Sequence, residues 1–274
     1  MKLAVFVGLC ACTVFPTLAA TGEVPEPAVD AAFRQLYNFD FEKSKQTSKE
    51  IAKRQEDPMA HAALAAAYLF SEMNRLQVFD KDMLSQEKVS GEQAKRIGAE
   101  ARAGFLDAVE KTKRTAGKAL EQDPKDKNAL LALVIATGAE RDFAALVEKR
   151  LKDSYYSAKA SQEYALRLQA IDPDNCDAWF TRGFSEYLVG SVPYVLRWLM
   201  KIDQVTGDKA KGVSYMEKCA QQGRYLKPFA QMMLATIYQK EKRYKEQRAM
   251  LEAYAADYPE NLTVQKELRK LNQR

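Results

Sequence analysis

Histidine is almost missing from this chain, with one residue, His61, in 274. A mechanism built on an imidazole triad would have to run through that one ring, and no cysteine cluster stands near it in sequence to share a metal. Cysteine is scarce as well: Cys10, Cys12, Cys176 and Cys219 are the full set, too few for the disulfide frameworks of small secreted domains. Glycine and proline, at 12 and 9 residues, exclude collagenous and low-complexity chains. No stretch reaches the roughly 18 consecutive apolar residues of a membrane-spanning helix, which excludes a polytopic membrane protein. Also missing are G-x-S-x-G, H-E-x-x-H, a glycine-rich phosphate loop and a dinucleotide fingerprint. Carboxylates are plentiful, but spacing singles none out as a hydrolytic pair. We therefore expect no catalytic residues, no cofactor and no metal site. Charge of one sign is lacking too, since 42 basic residues face 37 acidic ones for a formal charge of +5. The late basic residues Lys240, Lys242, Arg243, Lys245 and Arg248 are interrupted by Glu241 and Glu246, the spacing of a solvated helix face and not of a nucleic-acid surface.

What is present is 47% apolar and 29% charged, the balance of a folded helical protein and unlike a disordered chain. At the amino terminus Lys2 precedes an apolar run from Leu3 to Phe15, a breaker at Pro16, and Thr17-Leu18-Ala19. This layout predicts a secretory signal over 1–20, cleaved after residue 19 or 20, and export to the periplasm or beyond. Cys12, after Leu9-Cys10-Ala11, distantly resembles a lipoprotein box, but Cys10 at its second position and the short apolar run argue against lipid anchoring. Cleavage would remove Lys2 and lower the positive excess by one. Residues 21–27, with Pro25 and Pro27, read as a linker, and 28–274 as one helical domain without an alternating strand pattern.

The domain carries a period. From Pro228 to Asn261 the order is Leu234-Ala235 and Tyr238, then Tyr244, Leu251 and Tyr254, then Asp257-Tyr258-Pro259-Glu260-Asn261. The small Ala235 lets two antiparallel helices approach, Leu234 and Tyr238 share a face four residues apart, and Pro259 ends the second helix. Asn261 can cap a last helix over Leu262–Asn272, with Val264, Leu268 and Leu271 on one face. The same punctuation recurs at Asp57-Pro58 before His61, Leu64-Ala65 and Tyr68; at Asp123-Pro124 before Leu130, Leu133 and Thr137; and at Asp172-Pro173 before Trp179, Gly183 and Glu186. Phe33 to Gln55 supplies a first hairpin with its turn at Asn38–Glu42. These units resemble tetratricopeptide repeats (TPR), and Trp179-x-x-Arg182-Gly183 resembles the family's W-x-x-L-G step with arginine in place of leucine. The stretch from Phe33 to Asn261 is similar to bacterial exported proteins of this kind. On Gly190-Ser191-x-Pro193 and Thr206-Gly207-Asp208 it resembles, more remotely, a mitochondrial outer-membrane-associated family. The resemblance implies an all-α array of antiparallel helical hairpins, an α-solenoid with right-handed superhelix and a C-terminal capping helix. It implies a scaffold that binds a protein or peptide on its concave face.

Spacing departs from a strict period. Ser71 to Gly91 reads as a polar insertion, and Gly190 to Met200 as an inserted apolar helix opened by Pro193. The first helix of each hairpin lines the concave face in such arrays, which by position points to Leu131, Ile135, Phe180, Phe184, Tyr187, Phe229, Met232, Thr236, Gln239 and Lys240. Either the inserted helix fills this apolar surface, or an apolar ligand or amphipathic partner helix does. A filled groove favours the scaffold, and an open apolar cavity a ligand-binding or transport-accessory module. A third reading brings the inserted helix to a membrane surface. Cys176 and Cys219 fall at ends of helices that antiparallel pairing brings together, as a disulfide or as two buried thiols. Asp172–Asp177 has the acidic density of a calcium loop without its glycine and closing glutamate, and reads as a helix stop and cap. His61, among alanines, reads as a packing residue.

Overall fold

The computed structural model describes residues 28–76, 78, 98–191 and 207–272. The expected signal and linker, Cys10 and Cys12, most of the polar insertion and all of the expected inserted helix but Gly190 and Ser191, which end a longer helix, lie outside them. Among the described residues there are eleven α-helices and no strand. They are α1 (Ala28–Tyr37), α2 (Phe41–Arg54), α3 (Pro58–Arg75), α4 (Ala99–Gln122), α5 (Lys127–Asp142), α6 (Leu151–Ile171), α7 (Cys176–Ser191), α8 (Lys209–Gln222), α9 (Lys227–Lys240), α10 (Tyr244–Asp257) and α11 (Leu262–Asn272). Each packs on its neighbour in sequence, so that α1–α2, α3–α4, α5–α6, α7–α8 and α9–α10 form antiparallel pairs, with α11 against α10. Between pairs, α3 also touches α1 and α5, and α5 touches α7.

Punctuation explains where the helices stop. Asp123-Pro124, Asp172-Pro173 and Tyr258-Pro259 each open a four-residue turn closed by an N–H bond from Asp126, Asn175 or Asn261 back to the first residue's carbonyl, with proline in the position its fixed φ favours. Asp126 then accepts from Ala129 N, and Asn261 from Thr263 N and Val264 N, satisfying amides that an α-helix leaves unpaired. The turns inside the first and last pairs also match each other. Asn38, Phe39 and Asp40 donate to Arg34, Leu36 and Gln35, and Glu241, Lys242 and Arg243 donate in the same offsets to Ile237, Gln239 and Tyr238. Phe39 and Lys242 hold the left-handed residue of each turn, at φ 64° and 59°.

Small residues set the helix spacing. A Cβ on Gly183 would lie 2.7 Å from the Gly212 carbonyl oxygen and 2.9 Å from the Met216 amide, so α7 and α8 touch backbone to backbone. The arginine in the W-x-x-L-G step has its own work: the Arg182 guanidinium lies 5.1 Å from the Trp179 ring and 5.2 Å from that of Tyr215, and Nη1 donates to Gln169 Oε1 at 2.8 Å. It covers an aromatic pair and ties α7 to α6, which a leucine could not do. The helix carrying Tyr68 does not end at Ser71. It runs to Arg75 because Phe70, Met73 and Leu76 keep its buried face going.

The first described helix meets the last ones. Tyr37 Oη donates to the Tyr225 carbonyl (2.7 Å), and the Tyr37 carbonyl accepts from Tyr254 Oη (2.6 Å) and Asn261 Nδ2 (2.9 Å). The Arg224 guanidinium pairs with Asp30 at 2.6 Å, so α1 is joined to the α8–α9 turn, to α10 and to the start of α11.

Candidate functional site

The first helix of every pair turns an apolar face toward one interior. Phe33 and Tyr37 come from α1, Leu69 and Phe70 from α3, Val134 and Ile135 from α5, Phe180 from α7 and Phe229 from α9. Their rings interlock, with centroids 5.8 Å apart for Tyr37 and Phe70, 5.3 Å for Phe70 and Phe229, and 5.0 Å for Phe180 and Phe229. The void left among them is about 30 Å³, room for roughly one water molecule.

Into this apolar interior the end of α5 sends Arg141 and Asp142, 4% and 6% exposed. Nε and Nη2 of Arg141 meet the two carboxylate oxygens of Asp142 at 2.8 Å each, and the guanidinium lies 4.6 Å from the Phe184 ring. Nη1 is buried without a hydrogen-bond partner among the described residues. The pair sits where α5 gives way to a π-helical turn, Phe143–Val147, an irregularity frequent at functional sites. A buried ion pair is costly to desolvate and gives no stability by itself. The arrangement can bind, because an unfilled donor in an apolar wall would take a water, carbonyl or carboxylate oxygen.

The expected concave-face residues divide. Leu131, Ile135, Phe180, Phe184, Tyr187, Phe229 and Met232 are buried, and the cavity brings Ile135, Phe180 and Phe229 together. Thr236 is half-buried, and Gln239 and Lys240 are exposed near the end of α9. The aromatic stripe is therefore buried, packed beside residues of the other first helices. Cys176 and Cys219 are separate buried thiols; Cys176 Sγ donates to the Asp174 carbonyl and Gln222 Oε1 at 3.3 and 3.4 Å. Burial pushes both thiols above the usual cysteine range.

Asp177, in the first turn of α7, reaches across to another turn. Its carboxylate accepts N–H bonds from Arg224, Tyr225 and Leu226, at 2.9 to 3.1 Å, in the turn before α9. Burial raises its pKa above the ordinary aspartate value, and these three N–H bonds and the Arg224 charge pull against that rise. Arg141 and Asp142 were not legible as site residues, although Glu140-Arg141-Asp142 interrupts an otherwise small and apolar run from Ala129 to Val147. That interruption is the signal that could have found them.

No family model matches the chain, and no curated protein matches it in sequence.

Proposed function

We propose that the chain is an exported, non-catalytic scaffold of the tetratricopeptide type that holds a protein partner in the cell envelope. The observation that carries this reading is the filled interior: the first helices spend their aromatic residues on one another, leaving about 30 Å³, too little for an organic substrate or a peptide. Recognition is then left to the outward surfaces, where α6 exposes Tyr155 and Tyr156 side by side, a residue type enriched at binding hot spots. The repeated proline turns and the Gly183 contact support the repeat assignment, and the layout of residues 1–20 supports export. Crosslinking cells that carry p-benzoylphenylalanine in place of Tyr156 is expected to give an adduct of one defined mass with a single protein. Adducts that are absent, or spread over many proteins, would overturn the reading.

A ligand-binding module is the second reading, favoured by the unpartnered Nη1 of Arg141 in an apolar wall. It requires the interior to open. Native mass spectrometry of the purified chain separates the two, since a bound small molecule lost on Arg141→Met would favour the ligand module.

A further inference from the structure

A second concavity, independent of the interior, lies between α2, α3 and α4 and encloses about 400 Å³. Lys49 and Lys53 reach it from α2, His61 from α3, and Lys111 and Arg114 from α4. Two acids share the rim and both are engaged: Asp107 pairs with Lys111 at 2.7 Å, and Glu56 meets Lys118 at 3.5 Å. Lys53 and Arg114 have no ion pair among the described residues. Positive charge therefore surrounds an open volume in excess of what the acids neutralise, a field that concentrates anions.

His61 adds a separate observation. It forms part of the cleft wall, is 9% exposed, and its Nδ1 has no hydrogen-bond partner among the described residues. Burial, and then the Lys111 charge, push its pKa below the ordinary histidine value, with Arg114 acting the same way and Asp107 and Asp57 opposing. The positive groups around the ring thus act with burial against its protonated form. An anion entering the cleft would cancel the excess positive charge and meet lysine point charges and an arginine fork, the groups suited to phosphate and carboxylate oxygens.

We propose that the cleft between α2, α3 and α4 binds a free, compact oxyanion of two or more negative charges, a phosphate ester or a polycarboxylate. The site is independent of the scaffold reading and stands if that reading fails.

The chain's single histidine makes the test direct. Imidazole carbon–proton signals of the full chain, purified with a histidine-free tag, are followed while sodium pyrophosphate or citrate is added. Sodium chloride of equal ionic strength is the control. The expected result is a saturable shift of the His61 signals with at least one of the two anions, together with a rise in the imidazole pKa. The exposed pair Lys53→Ala and Arg114→Ala is expected to weaken binding about tenfold or more, the equivalent of a lost charge-assisted hydrogen bond, while Lys125→Ala, on the α4–α5 turn and not in the cleft lining, leaves it unchanged. Shifts from both anions no larger than those from chloride would overturn the proposal. So would an undiminished response in a folded double variant, its fold checked by its urea midpoint.

Discussion

Asp177 shows what one side chain can hold. With 3% exposure it satisfies the amides of three successive residues, and removing it strands those of the buried Tyr225 and Leu226, while Arg224 is exposed. Each stranded donor costs about 1–3 kcal/mol, so with two buried amides stranded Asp177→Ala is expected to lower stability by about 2–6 kcal/mol in urea unfolding. Asp177→Asn, which keeps one acceptor oxygen, should fall between. A loss under about 1 kcal/mol for the alanine variant would mean that water takes over the bonds. His61 makes a different claim, about pH. Its folded-state pKa lies below the unfolded value near 6.5, so the unfolded chain binds the proton more readily, and stability must fall as pH drops from about 7.5 through 6.5 toward the folded value. The groups facing the ring are Lys111, Arg114 and Asp107 from α4 and Asp57 from the start of α3, with Lys49, Lys53 and Glu56 across the cleft. His61→Gln is expected to remove that part of the slope, measured as the difference between wild-type and variant urea midpoints at pH 7.5 and 5.5. Parallel curves for the two proteins would refute it.

At the scale of helices, Gly183 and Gly117 separate two uses of one residue. A Cβ at Gly183 meets backbone of α8, which cannot rotate away, so Gly183→Ala is expected to cost about 1–3 kcal/mol. Gly117 lies within α4 with nothing within 4 Å of its Cβ position, so Gly117→Ala should stabilise by about 0.5–1 kcal/mol through the entropy of the unfolded chain. Paired thermal melts check both signs, and a neutral Gly183→Ala would show that α7 and α8 can separate. Gly183 was legible from the sequence because the repeat pattern puts a small residue there, as were the Asp-Pro stops and α11. The turn of the first pair was legible too, at Asn38–Glu42, but its match to the turn of the last pair was not, because Asn38-Phe39-Asp40 and Glu241-Lys242-Arg243 share a backbone path and no side-chain chemistry. Nor was the fate of the aromatic stripe. Phe180 and Phe229 carry the same helical spacing in a groove or in a core, and what decides between them is the sum of many small interhelix rotations.

At the scale of the molecule, the join between α1 and the last helices changes how the fold should come apart. An open stack of repeats in which each unit touches its neighbours alone frays from its ends and unfolds in steps. Here Tyr37 is fully inside, and its carbonyl takes bonds from both Tyr254 and Asn261, more than 200 residues away along the chain. Asn261 serves the join and the α11 cap at once, with no exposure. Loss of this side chain therefore releases two ends together: Asn261→Ala frees the α11 amides and leaves the Tyr37 carbonyl with one partner. Amide hydrogen exchange is the fitting measurement, because it reads local opening element by element. In the wild type, α1 and α11 are expected to exchange as slowly as α5; in Asn261→Ala both should speed up by about tenfold or more, the equivalent of about 1.4 kcal/mol, while α5 changes less. Faster exchange in α11 with α1 untouched would show that the asparagine is a helix cap and nothing more, and that the ends of the array touch without supporting each other.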